Sequence, residues 1–293
     1  ENGHILKSDL DGNNTETVTN LTILESFEGF WSPLKTKIAI FYHENEVVKK
    51  FLEETATGTP SRFLPQGAES FAWSPDGKSM AYLMAQGSQT NLIIADQNNK
   101  NGKTVFSTPV PDFTLQWISK NSIILVSRPS GLAPSLVIRL DPGARRANPV
   151  ITGARGVVLT AIPDGSGFIL SRSSDKGEAI GLALYLFKDN NATPFEITTV
   201  ADKCAFSQDS KRLFCGAPKG VMRSPSPDEW YKGTVFFNDA IMEVDIATRQ
   251  IKTLMENEID IDVMSPFVSP DGKYLFFQDK KDGTLWRLTI EKE

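Results

Sequence analysis

Four kinds of residue in this chain of 293 have types and spacing that could do chemistry: two cysteines, an adjacent tryptophan and tyrosine, two arginines and two aspartates. Cys204 and Cys215 flank a turn. If Phe206 faces Leu213 across it, the two sulfurs face each other as well. Directly opposed strand positions hold their Cβ atoms about 4.5–5.5 Å apart, close to the roughly 3.5–4.5 Å of a disulfide. A disulfide in an oxidising compartment and a pair of buried thiols are both open readings. Trp230 and Tyr231, flanked by Asp228, Glu229 and Lys232, lie in a long insertion, 216–238. They can serve as aromatic anchors for a peptide or glycan, or fold back to cap the structure beneath them. Arg128 and Arg172 occupy equivalent places after Trp117 and Ala161, while Asp202 and Asp262 come just before two strands. Converging Arg and Asp would bind a carboxylated or polar ligand; charged loop ends also simply keep a surface solvated.

Other chemistry is missing. No G-x-S-x-G nucleophile elbow occurs, so a serine hydrolase site is not expected. The two histidines, His4 and His43, form no cluster with cysteine at metal-ligand spacing, and His43 reads as a solvated residue at a strand end. No metal, cofactor or catalytic residue is therefore assigned. The stretch Asp9-Leu10-Asp11-Gly12-Asn13-Asn14 places oxygens at alternate positions, as calcium sites do, but lacks a distal Glu and suits a tight turn better. An enzyme site in a central channel would have to draw on Asp202, Asp262, Glu69 and Asp112.

The elements that must position these residues come from a repeat. Trp31, Trp73, Trp117, Ala161, Phe206 and Val268 hold the same place in GFWSPLKTKIAIF, FAWSPDGKSMAYL, LQWISKNSIILV, LTAIPDGSGFIL, CAFSQDSKRLF and FVSPDGKYLFF, at intervals of 42, 44, 44, 45 and 62 residues. In each unit an apolar strand, a Pro-Asp-Gly type turn and an antiparallel partner follow one another. Third strands are expected at LIIADQ, SLVIRLDP, LALYLFK and IMEVDIA, and fourth strands at TVFSTP, PVITG, PFEITT and IKTLM. A period of this length with four strands per unit predicts an all-β β-propeller. The recurring aromatic residues pack between blades. The N-terminal stretch 4–20 supplies strands without a preceding hairpin and the C-terminus a hairpin with one further strand, so joining them would close the ring. Six four-stranded blades are expected, seven being the alternative, in a single domain over 1–293.

The matching turns, Ser74-Pro75-Asp76-Gly77-Lys78, Pro163-Asp164-Gly165, Ser207-Gln208-Asp209 and Ser269-Pro270-Asp271-Gly272-Lys273, resemble the WD40-like repeats of TolB-type β-propellers, which are similar to the propeller domain of prolyl-oligopeptidase-type peptidases. The resemblance spans essentially the whole chain. It departs at Leu34-Lys35 and at Ile118-Ser119-Lys120-Asn121, where the turn is replaced. It implies an exported binding platform. Composition agrees with a soluble partner-binding role: a net charge of −5 argues against nucleic acid, and apolar runs such as SIILV fall far short of the roughly 20 residues that span a bilayer. Association with a membrane would come only through a removed anchor.

The sequence thus predicts a monomeric, non-catalytic binding module, extracytoplasmic (periplasmic, cell-surface or secreted), that presents a loop rim with the 216–238 insertion to a protein or glycan partner. The alternative is a propeller lactonase, lyase or glycan hydrolase with its site in the central channel.

Overall fold

The computed structural model describes residues 3–18, 22–55, 62–220, 225–256 and 259–290. Parts of the expected N-terminal strands (19 and 20) and of the insertion (221–224) lie outside them. The chain falls into two compact units, Glu1–Ile123 with Asp141–Arg146, and Ile124–Leu140 with Ala147–Glu293. Both are built from antiparallel strands, and no helix of the described residues is long and apolar enough to cross a membrane.

In the first unit, β1 (Leu6–Lys7) pairs with β2 (Glu16–Thr17). The loop between them is a tight turn around Asp9, whose carboxylate accepts the backbone N–H groups of Asp11 (3.1 Å) and Asn13 (2.8 Å). The next sheet orders β3 (Ser26–Trp31), β4 (Lys37–Glu44), β5 (Val47–Glu54) and β6 (Arg62–Phe63), and its successor β7 (Ala68–Trp73), β8 (Ser79–Gln86), β9 (Gln89–Asp96) and β10 (Lys103–Thr108). β11 (Phe113–Ser119) packs on β7. Trp73 is buried and its indole N–H donates to Phe30 O of the preceding sheet at 2.8 Å, so the recurring aromatic residue does join neighbouring sheets. His43 stands one residue from the end of β4, exposed and against the Phe27 ring.

In the second unit, apart from the end residues Ser122, Ile123, Asp141 and Arg146, β12 (Ser122–Ser127), β13 (Pro134–Asp141), β14 (Arg146–Ala161), β15 (Gly167–Ser173), β16 (Ala179–Leu186) and β17 (Asn191–Pro194) lie in order. A four-stranded sheet follows, β18 (Cys204–Phe206), β19 (Arg212–Pro218), β20 (Asp239–Asp245) and β21 (Ile251–Met255), then a three-stranded one, β22 (Val263–Val268), β23 (Tyr274–Asp279) and β24 (Leu285–Thr289). Two departures from the expected strands have local causes. PVITG is not a separate fourth strand, because β14 runs on without a break from it into the following first strand. PFEITT is mostly a link: the regular strand ends at Pro194, and Phe195 and Ile197 beyond it are drawn into the core.

The turns explain why the repeat exists. Ser74 Oγ donates to Asp76 Oδ1 at 2.7 Å and accepts the N–H of Ser79 at 2.9 Å, while Gly77 takes a φ of 69°. Ser269, Asp271 and Gly272 repeat this arrangement. In the Ser207 turn, Ser210 adopts the positive φ, at 61°. The register pairs Phe206 with Leu213 and Cys204 with Cys215, and the two cysteines are joined in a disulfide.

Candidate functional site

The insertion leaves β19 and returns at β20, where it folds against its own unit. Its Ser226 N–H donates to Gly177 O (2.8 Å), Asp228 Oδ2 accepts the N–H of Gly131 (2.7 Å), and Ser226 O accepts the Ser173 hydroxyl. Gly131 has to be a glycine here, since a Cβ would lie 2.4 Å from Ser226 O. Thus anchored, the chain forms one helical turn, α1 (Asp228–Tyr231).

α1 delivers Trp230 into the core, where it is 3% exposed and packs with Cys204, Phe206, Cys215 and Val244. Its indole N–H would be stranded there without an acceptor. Asp262 supplies one, with Oδ1 at 3.0 Å and Oδ2 at 3.1 Å. The Asp262 carboxylate also accepts the backbone N–H of Phe237 at 3.1 Å and pairs with the fully buried Lys203 ammonium. Lys203 completes the group by pairing with Asp239 at 2.7 Å. Two buried carboxylates therefore share one buried cation, assisted by the indole N–H and by backbone donors.

The two carboxylates are served unequally. Asp239 Oδ2 takes Lys203 and the N–H of Val263 (2.7 Å), while Asp239 Oδ1 has no partner among the described residues. Burial consequently pushes Asp239 up to about 6, against the opposing pull of Lys203. Gly216 makes room for this packing: a Cβ there would lie 2.5 Å from Val263 Cβ and 3.0 Å from Asp239 Oδ2.

Beside the group opens a cavity of about 340 Å³, lined by Thr160, Asp202, Trp230, Tyr231, Met264–Pro266 and Lys280. Three successive first strands, or the links into them, contribute: Thr160 from β14, Asp202 from the short turn Ala201–Lys203 before β18, and Met264–Pro266 from β22. Tyr231 is 41% exposed, and its hydroxyl donates to Asp202. Burial raises Asp202 above the usual carboxylate range and, with the Asp202 charge, raises Tyr231 well above that of an ordinary phenol. Lys280 holds its ammonium 4.9 Å from the centroid of the Trp230 ring, and Lys203 stands 5.2 Å from the same ring. The indole thus lies against two cations.

Of the residues singled out from sequence, Asp202, Trp230 and Tyr231 meet at this cavity, and Asp262 holds Trp230 from within the core. Arg128 and Arg172 are exposed and do not line it. Glu69 and Asp112 are exposed residues of the first unit. Lys203, Asp239, Ser265 and Lys280 were not anticipated: nothing in their spacing separates them from the surface charges and hydroxyls around them. Among the described residues no group of three or more His, Cys, Asp or Glu could hold a metal ion.

No family model and no curated protein matches the chain. Solved structures do. An oligogalacturonate lyase from Vibrio parahaemolyticus matches with a TM-score of 0.66 and 12% identity over 97% of this chain and 82% of its own. An oligogalacturonate lyase in complex with manganese gives 0.67 and 13%, over 99% and 83%. The β-propeller domain of the Trilobed protease from Pyrococcus furiosus gives 0.62 and 14%, over 91% and 81%. At such identities the likeness speaks for architecture alone. Together with the repeated antiparallel sheets it shows that this chain has a β-propeller fold.

Proposed function

We propose that the chain is a binding module: a single-domain propeller of six blades, its ring completed by N-terminal and C-terminal strands, that engages a protein or glycan partner outside the cytoplasm. The observation that carries this is the insertion. It is fastened to its unit by three hydrogen bonds and sets Tyr231, half exposed, beside Asp202 and Lys280 at one cavity. Loops of this length that are anchored and present an aromatic residue are commonly interaction sites. The Cys204–Cys215 disulfide supports an oxidising compartment. Arg128 and Arg172 remain candidates for contacts away from the cavity.

One feature favours the enzyme reading as well. Asp202 is a carboxylate raised by burial and hydrogen-bonded to Tyr231, which is the kind of pair that moves protons. The fold is shared with lyases and with a protease domain, and it gives no preference. One of those lyases holds manganese; among the described residues here no group of three or more His, Cys, Asp or Glu could hold a metal ion.

Glycan and peptide arrays probed with the wild-type chain and with Tyr231→Ala decide between the two. Retention of a ligand class that Tyr231→Ala loses, with no turnover, is the expected result. Product release from oligogalacturonate or a peptide, abolished by Asp202→Asn, would replace the binding reading with the enzymatic one.

A further inference from the structure

Within the binding reading, the cavity wall itself narrows the ligand. Lys203 has two carboxylates, but Lys280 has none: among the described residues its ammonium meets only the Trp230 ring. Its backbone N–H donates to Asp262 O at 2.8 Å, which fixes the start of the side chain. A half-buried ammonium that the protein leaves without a carboxylate is free to pair with an incoming anion.

The other polar side chains that line the cavity are Thr160, Tyr231, Asp202 and Ser265. Thr160 spends its hydroxyl hydrogen on Ala201 O at 2.8 Å, and Tyr231 spends its own on Asp202 Oδ2. That leaves the second oxygen of Asp202 as an acceptor and the Ser265 hydroxyl, on a backbone held at a φ of 49°. Met264, Pro266 and the aromatic rings supply the rest of the wall. A peptide terminus needs one cation, one or two polar partners and an apolar wall. The volume, about 340 Å³, lies at the lower end of the roughly 300–1,000 Å³ of small-ligand pockets.

We propose that this cavity captures the C-terminal end of a peptide. Lys280, with Ser265, takes the terminal carboxylate. The free oxygen of Asp202 accepts a backbone N–H, and Met264 and Pro266 receive the terminal side chain. The proposal rests on the binding reading above and specifies its ligand.

The test uses a fluorescent pool of random hexapeptides with free C-terminal carboxylates, the same pool amidated at the C-terminus, and a set of uronic-acid oligosaccharides. The wild-type chain should retain the free-acid pool and bind the amidated one roughly tenfold or more weakly, the loss expected for one charge-assisted contact. Lys280→Gln should lose the preference and Lys280→Arg should keep it. The comparison of the two pools needs no variant, so a folding defect in Lys280→Gln would not blunt it. Equal retention of both pools overturns the carboxylate assignment while leaving a peptide-binding module. Retention of uronic-acid oligosaccharides alone, lost in Lys280→Gln, overturns the peptide and keeps the binding module. Failure of the wild-type chain to retain any probe overturns this proposal, and if the arrays are also blank the binding reading goes with it.

Discussion

At Asp239 burial outweighs the pull of its cation, and its protonation should be visible in stability. Its pKa is raised in the folded chain, to about 6 from an ordinary 3.8. The native state therefore binds more protons than the unfolded one between those values, and stability falls as pH rises through that window. Asp239→Asn keeps an oxygen for the Val263 N–H and removes the charge. Thermal melts should find it more stable than wild type near pH 8, with the advantage gone by about pH 4. Lys203→Met has the opposite character. It leaves Asp262 and Asp239 buried without their cation, and urea denaturation should show a loss of about 3–5 kcal/mol. Adding Asp239→Asn to it should restore part of that loss.

At the scale of elements, two devices hold the root of the insertion. The disulfide ties β18 to β19 across a separation of 11 residues. Replacing both cysteines by serine should cost about 3 kcal/mol on chain-entropy grounds, measured by urea denaturation without reductant. Gly216 lets β19 approach Val263. Gly216→Ala should destabilise by about 1–3 kcal/mol through overpacking, and Val263→Ala in the same chain should relieve it. The elements themselves were largely readable in advance. Ser-Pro-Asp-Gly announces a turn because its serine and aspartate satisfy the backbone locally, and the pairing of Cys204 with Cys215 follows from counting across such a turn. The expected fourth strand PFEITT is where pattern and structure part at Pro194, since the pull of Phe195 and Ile197 into the core depends on neighbours far along the chain. The site divides the same way. Trp230 and Tyr231 stand out as aromatics in a long loop, whereas Lys203 and Lys280 gain their meaning only from where Asp262 and the indole ring end up.

For the whole molecule, the single-domain expectation makes a simple prediction: urea unfolding followed by tryptophan fluorescence and by circular dichroism should give one coincident transition. Two separated transitions would mean that the units Glu1–Ile123 with Asp141–Arg146 and Ile124–Leu140 with Ala147–Glu293 are independent domains. The position of Trp230 extends this optical handle from folding to recognition. Its indole lies against the ammonium groups of Lys203 and Lys280 and is hydrogen-bonded to Asp262, so its emission is set by a local electric field. An anion arriving at Lys280 must change that field. The chain thus carries its own reporter dye, read as the difference between its spectrum and that of Trp230→Phe, and ligands can be titrated without a label.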